Sequence, residues 1–169
     1  MLALYVIGAA VSSTSVAPAA ENGAAWRTYQ NDRYGVTVEY PDFFKPEPPP
    51  DSDDGRTFKS GDGAEFLVFA SFNTLDFDLA AFQDFTLKNL DPDEAITYQA
   101  HGRDWFVISG TKGTGAVFYE RHLLSHQGEM TNGFVITYPA SLKPKYDPIV
   151  ARMSKSFRAG VGYQTSGKP

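Results

Sequence analysis

Cysteine is absent from the 169-residue chain. Disulfides, thiolate metal sites, a cysteine nucleophile and a lipidated N-terminal cysteine are thereby excluded. Basic residues are the minority, 15 against 20 acidic, for a formal charge of −5. That balance argues against a nucleic-acid binder held by phosphate contacts. Histidine occurs three times, so imidazole chemistry has few places to reside. A long hydrophobic run is also missing. The apolar stretch Leu2–Val11 (LALYVIGAAV) would span only about 15 Å as a helix, half of a hydrocarbon core.

That short stretch, followed by the small and polar VSSTSVAPAA, fits the core of a secretory signal. Ala17-Pro18-Ala19 supplies a small-x-small site, with cleavage expected before Ala20. No Lys or Arg precedes the apolar run, so a buried first strand stays open as the other reading. The expected organisation is a signal peptide over 1–19, a single domain over 20–160, and a flexible C-terminal tail over 161–169. A domain of this size buries enough surface to need no metal or disulfide staple.

Aromatic residues are abundant at 14%, with 13 Phe and 9 Tyr. Trp26–Tyr40 predicts two strands around a turn at Asn31-Asp32, closed by Pro41. Residues 45–54 (KPEPPPDSDD) read as a Pro-rich acidic loop. Arg56–Ser60 and Glu65–Phe72 predict a hairpin around Gly61-Asp62-Gly63. A first helix is expected over Leu79–Leu90, capped by Asp76 or Asp78. Strands are expected over Ile96–Ala100, Trp105–Ser109, Ala116–Ser125 and Phe134–Tyr138. A last helix is expected with Asp147 as N-cap and Pro148 at its first position. Tyr146, Ile149, Val150, Met153 and Phe157 form its apolar stripe. The pattern is α+β: a central antiparallel sheet of six to eight strands with two main helices packed on it.

Catalytic and metal signatures fail on spacing. His122 and His126 on one extended strand stand roughly 13 Å apart, too far to share a metal. His101 sits at a turn, and surface or half-buried histidines are the expectation. No G-x-S-x-G occurs, and Ser109-Gly110 precedes a strand instead of a helix. Gly110–Gly115 (GTKGTG) lacks the order of a phosphate loop and also leads into a strand. In the acidic loop Asp51, Asp53 and Asp54 offer oxygens for a divalent cation, but Gly55 falls where a calcium loop needs a ligand. Charge is unevenly shared. Glu21–Asp104 holds 17 acidic and 7 basic residues, whereas Trp105–Pro169 holds 3 and 8. Two halves interleaved in one sheet would neutralise each other; separate acidic and basic faces would suit docking.

The pattern Asn31-x-Arg33-Tyr34-Gly35-Val36-x-Val38-x-Tyr40-Pro41, with Phe43 and Phe44 following, resembles the opening of PsbP-like domains. Phe134–Pro139, then Asp147-Pro148 and a helix ending in Ser156-Phe157, is similar to their last strand and terminal helix. The chain also resembles small exported bacterial proteins of unknown function that carry the Asp-Gly hairpin seen at Asp54-Gly55 and Asp62-Gly63. The resemblance implies a central antiparallel sheet between helices and a non-enzymatic accessory or binding role.

The expectation is an exported, periplasmic or secreted, non-catalytic module without a cofactor. Its partner is an unidentified envelope protein or small ligand, not nucleic acid. No membrane anchor remains after cleavage, and the chain is a monomer or weak oligomer. No catalytic, metal or binding residue is singled out. The alternatives are a hydrolase that brings Ser, His and Asp together on folding, or a weak divalent-cation binder through Asp51, Asp53 and Asp54. A histidine near 3 Å from a serine or carboxylate in a concave site would favour the enzyme. A flat apolar patch with a charged rim would favour docking.

Overall fold

A computed structural model describes residues 23–113 and 115–161. The expected signal segment and all of the expected tail beyond Val161 lie outside the described residues. Chain order is β1 (Trp26–Gln30), β2 (Thr37–Pro41), β3 (Lys45–Pro46), β4 (Gly55–Lys59), β5 (Glu65–Phe72), α1 (Leu79–Lys88), β6 (Glu94–His101), β7 (Trp105–Lys112), β8 (Ala116–Ser125), β9 (Met130–Pro139) and α2 (Lys143–Ser156). The hairpin β1–β2 stands by itself, and the other strands form one seven-stranded antiparallel sheet ordered β3-β4-β5-β9-β8-β7-β6. The expected α+β fold, with a sheet of six to eight strands and two helices, is what the chain forms.

Alternation along the strands divides the core between the two sheet faces. Phe66, Val68 and Ala70 of β5 and Phe134, Ile136 and Tyr138 of β9 are buried on the face covered by α2 and the β1–β2 hairpin. Tyr40 and Phe44 complete a ring cluster there, with Phe58 and Phe66 stacked at 4.4 Å. Each such ring contributes on the order of 1.5–3 kcal/mol by leaving water. The residues that carry the family resemblance meet at this face. Glu39 N donates to Ser156 Oγ at 2.9 Å, Thr37 and Arg158 exchange backbone hydrogen bonds, and Phe157 packs against Phe134 at 5.2 Å. The terminal Ser-Phe therefore ties the last helix to the first hairpin.

The opposite face is thinner. The chain crosses it from β5 through α1 to β6 at the far edge, and of α1 only Phe82 is buried, against Phe106, Ile108 and Phe118. Asp78, not Asp76, caps α1, accepting from Ala81 N at 2.8 Å.

Two sequence expectations need correction. The last helix starts at Lys143, not after Asp147, with Pro144 in its first turn and Pro148 inside it. Asp147 is no cap; its carboxylate accepts from Lys143 Nζ at 2.8 Å, one turn earlier. The Pro-rich stretch is not loop throughout, since Lys45 and Pro46 pair with β4 as a two-residue edge strand, a position proline tolerates.

Candidate functional site

On the α2 face the covering layer stops short of one edge. The hairpin and α2 roof the sheet as far as β8, and no described element covers β6 and β7 there. The result is a groove of about 610 Å³ between α2 and strands β6–β8. Its floor carries Val107, Val117 and Tyr119, and its outer wall carries Tyr98, which is 57% exposed. Tyr98 reaches this face because of a bulge: Ile96 pairs with Gly110 while Tyr98 pairs with Ser109. Gly110 permits the bulge, since a Cβ there would lie 2.0 Å from the Ala95 carbonyl oxygen.

The groove is cationic. The Arg121 guanidinium lies over the Trp105 ring at 4.6 Å, and its Nη1 donates to Ser154 Oγ at 3.5 Å. Tyr119 also donates to that hydroxyl, at 2.8 Å. Arg121 Nε is buried without a hydrogen bond. Lys155 and Arg158 stand at the end of α2, where they also answer its dipole. Among the described residues, no carboxylate pairs with Arg121, Lys155 or Arg158, whereas Lys143 is neutralised by Asp147. Burial first, and then Asp147 beside it, push the Tyr138 hydroxyl above its ordinary range, so it remains a neutral donor. The basic C-terminal half noted in the sequence thus supplies a face.

The other face holds acids. A cleft of about 400 Å³ beside α1 is lined by Asp91, Glu94 and Glu120, with Lys112 as its cation. Hydrogen bonds with Asp91 and then Glu94 raise the Lys112 ammonium above its usual value and keep it charged. Deeper in, His122 Nε2 lies 2.9 Å from Glu120 Oε2. The ring is stacked on Phe106 at 4.7 Å and meets Phe82 edge-on at 5.3 Å. Its Nδ1 is buried with no partner. This corrects the expectation of surface or half-buried histidines, because His122 is 4% exposed. Gly133 opposite leaves room for it: a Cβ there would come within 2.5 Å of the Phe69 ring and 3.1 Å of Nδ1.

His126 does not share a strand with His122. It follows β8 at φ 52° and its Nε2 faces the Gly160 carbonyl at 3.0 Å. His101 is the exposed last residue of β6. Among the described residues no serine hydroxyl shares a hydrogen bond with a histidine. The loop of Asp51, Asp53 and Asp54 is held by its backbone: Asn31 Nδ2 donates to Asp53 O at 2.9 Å and Arg33 Nη1 to Ser52 O at 2.5 Å. Among the described residues no three metal-ligating side chains converge, there or elsewhere. No helix among them is long and apolar enough to cross a membrane.

Sequence reasoning missed the groove and the Glu120–His122 pair. Both depend on which strand lies at the edge and which face each alternating residue meets. The charge asymmetry was the one available signal.

No protein-family model matches the sequence, and no curated protein matches it either. Solved structures do match. The cyanobacterial PsbP (CyanoP) of Synechocystis sp. PCC 6803 superposes with a TM-score of 0.58 at 11% identity, over 80% of this chain and 93% of that one. The Ran-binding protein Mog1p of Saccharomyces cerevisiae superposes with a TM-score of 0.53 at 13% identity, over 80% of this chain and 96% of that one. At such identities the likeness speaks of architecture alone. The chain has a PsbP-like α+β fold.

Proposed function

We propose that the chain is an exported, non-catalytic binding module of the periplasm or extracellular space, with the groove between α2 and β6–β8 as its working surface. The carrying observation is an open aromatic groove whose Arg121, Lys155 and Arg158 lack carboxylate partners among the described residues. An accessory or binding role fits a fold shared with a protein described as Ran-binding. The test is a photo-crosslinking amino acid at position 98 of the full chain, exposed to envelope extract. A specific adduct that disappears with Arg121→Glu and survives Lys88→Glu, on the other face, supports this reading. No adduct, or one indifferent to Arg121→Glu, overturns it.

The Glu120–His122 pair favours a second reading, general acid–base chemistry in the cleft beside α1. A histidine 2.9 Å from a carboxylate, with both side chains lining the cleft, meets the criterion that favours the enzyme. No serine nucleophile stands beside it among the described residues. Hydrolysis of activated esters that vanishes in His122→Gln would establish this reading.

A further inference from the structure

We infer that the groove takes an acidic, extended segment of a partner protein, added as a strand along β6; this rests on the binding-module reading above. Three observations converge on that occupant. First, β6 ends the sheet order, so its outer edge is unpaired within the sheet described here. It runs for eight residues, Glu94–His101, with neither proline nor lysine on it. The opposite edge, β3, is two residues long and half proline. Proteins usually blunt a free edge with such residues or with a bulge; the slip at Thr97 interrupts the first half of β6 and leaves Tyr98–His101 as regular edge that can pair with another chain. Second, Tyr98 and Ala100 of that strand turn into the groove, which places the free edge along its rim. A strand laid there would send every second side chain over the groove and the rest away from it.

Third, the side chains awaiting it are of one electrostatic sign. Arg121 is oriented by its stacking on Trp105 and by Ser154, and its planar donor face suits a carboxylate. Lys155 and Arg158 extend the cationic surface along the end of α2, and the aromatic wall between them suits an apolar anchor. A duplex nucleic acid has no means of using a strand edge, and the net charge of −5 opposes it. A small anion would satisfy Arg121 but leave the edge and the aromatic wall unused.

The test uses the full chain and short synthetic peptides with Glu and Phe at alternate second positions and Thr between them. Titration is followed by Trp105 fluorescence, against a Trp26→Phe background, and by amide hydrogen exchange at Gln99 and His101, whose N–H groups alternate with the β7-bonded pairs and face the free edge. The acidic peptide should bind and slow exchange at these two amides. A counterpart with Gln for Glu should bind about tenfold more weakly, and a backbone N-methylated counterpart likewise, each near 1.4 kcal/mol. Binding should weaken further with added salt and in Arg121→Glu. Lys155→Glu serves as a second, fully peripheral variant should the first fail to fold.

Equal affinity for the Gln peptide overturns the acidic occupant, and equal affinity for the N-methylated peptide overturns strand addition. Inorganic phosphate displacing the peptide at equal concentration reduces the groove to a simple anion site and overturns the inference. Concentration-dependent self-association lost in Arg121→Glu would identify a second copy as the occupant instead. If no peptide binds while the adduct at position 98 persists, this inference falls and the binding-module reading stands. Loss of both removes both.

Discussion

The two faces of the seven-stranded sheet are made from the same strands, yet they differ in what they bury. On the α2 face, Phe66, Phe134, Tyr146, Met153 and Phe157 are all within 1% of complete burial. On the α1 face the buried set is Phe82, Phe106, Ile108 and Phe118, with an imidazole and a carboxylate among them. One face is a dense apolar core; the other is a thin layer with polar groups inside it. The difference teaches that dense apolar packing and buried polar side chains are segregated across the sheet. The α2 face can leave an open groove at one edge because the rest of that face holds the molecule together.

The largest effect that would test this contrast is a pair of ring deletions. Phe134→Ala should cost about 3–5 kcal/mol in urea unfolding, and Phe82→Ala about 2. Equal losses would show that α1 carries as much of the fold as α2. Next comes the polar pair. Glu120→Gln removes the charged partner of a buried ring whose Nδ1 already has none, and should cost about 1–3 kcal/mol. Replacing both residues with Leu should recover much of that loss, as measured by a double-mutant cycle. A smaller effect is expected at the α1 cap, where Asp78→Ala should cost about 1 kcal/mol and speed amide exchange in α1 first.

The smallest effect is one of pH. Burial alone would raise the Asp62 carboxyl, but hydrogen bonds from Lys145, Ser60 and Tyr146 hold it well below the usual carboxylate range. Its stabilisation is thus complete above the unfolded value and lost as pH falls through the folded one. Asp62→Asn should therefore flatten the fall in Tm between about pH 5 and pH 2, where the parent protein loses this contribution. An unchanged slope would place the acid sensitivity elsewhere.

Much of the architecture was legible because it rests on local signals. Turns at Asn31-Asp32 and around Asp62 stand where the glycines and Asx residues require them, and the stripe Tyr146, Ile149, Val150, Met153 is the buried face of α2. The start of α2 was misread because Asp147-Pro148 imitates a cap followed by a first-turn proline. In fact Pro144 holds the first-turn position, and Pro148 is carried inside a helix that packing sustains. His122 was illegible for another reason. Along β8 the set Phe118, Glu120, His122, Leu124 is hardly less apolar than Val117, Tyr119, Arg121, Leu123, so alternation alone favours neither face. The groove required knowing that β6 is last in the sheet, which is a long-range fact. The charge asymmetry was visible, but its placement on one face came only with the fold.

The single-residue slip in β6 has a consequence for how this molecule can change. Before it, Ile96 packs into the small α1 core; after it, Tyr98 and Ala100 turn into the groove. One strand therefore answers to two constraints in succession, and the slip is the seam between them. Residues beyond the seam are free to vary with whatever the groove meets, without disturbing the side chain that anchors the strand. Deleting Thr97 would close the seam into a regular ladder with Ile96 still opposite Gly110 and Tyr98 still opposite Ser109, so each side chain would keep its own face.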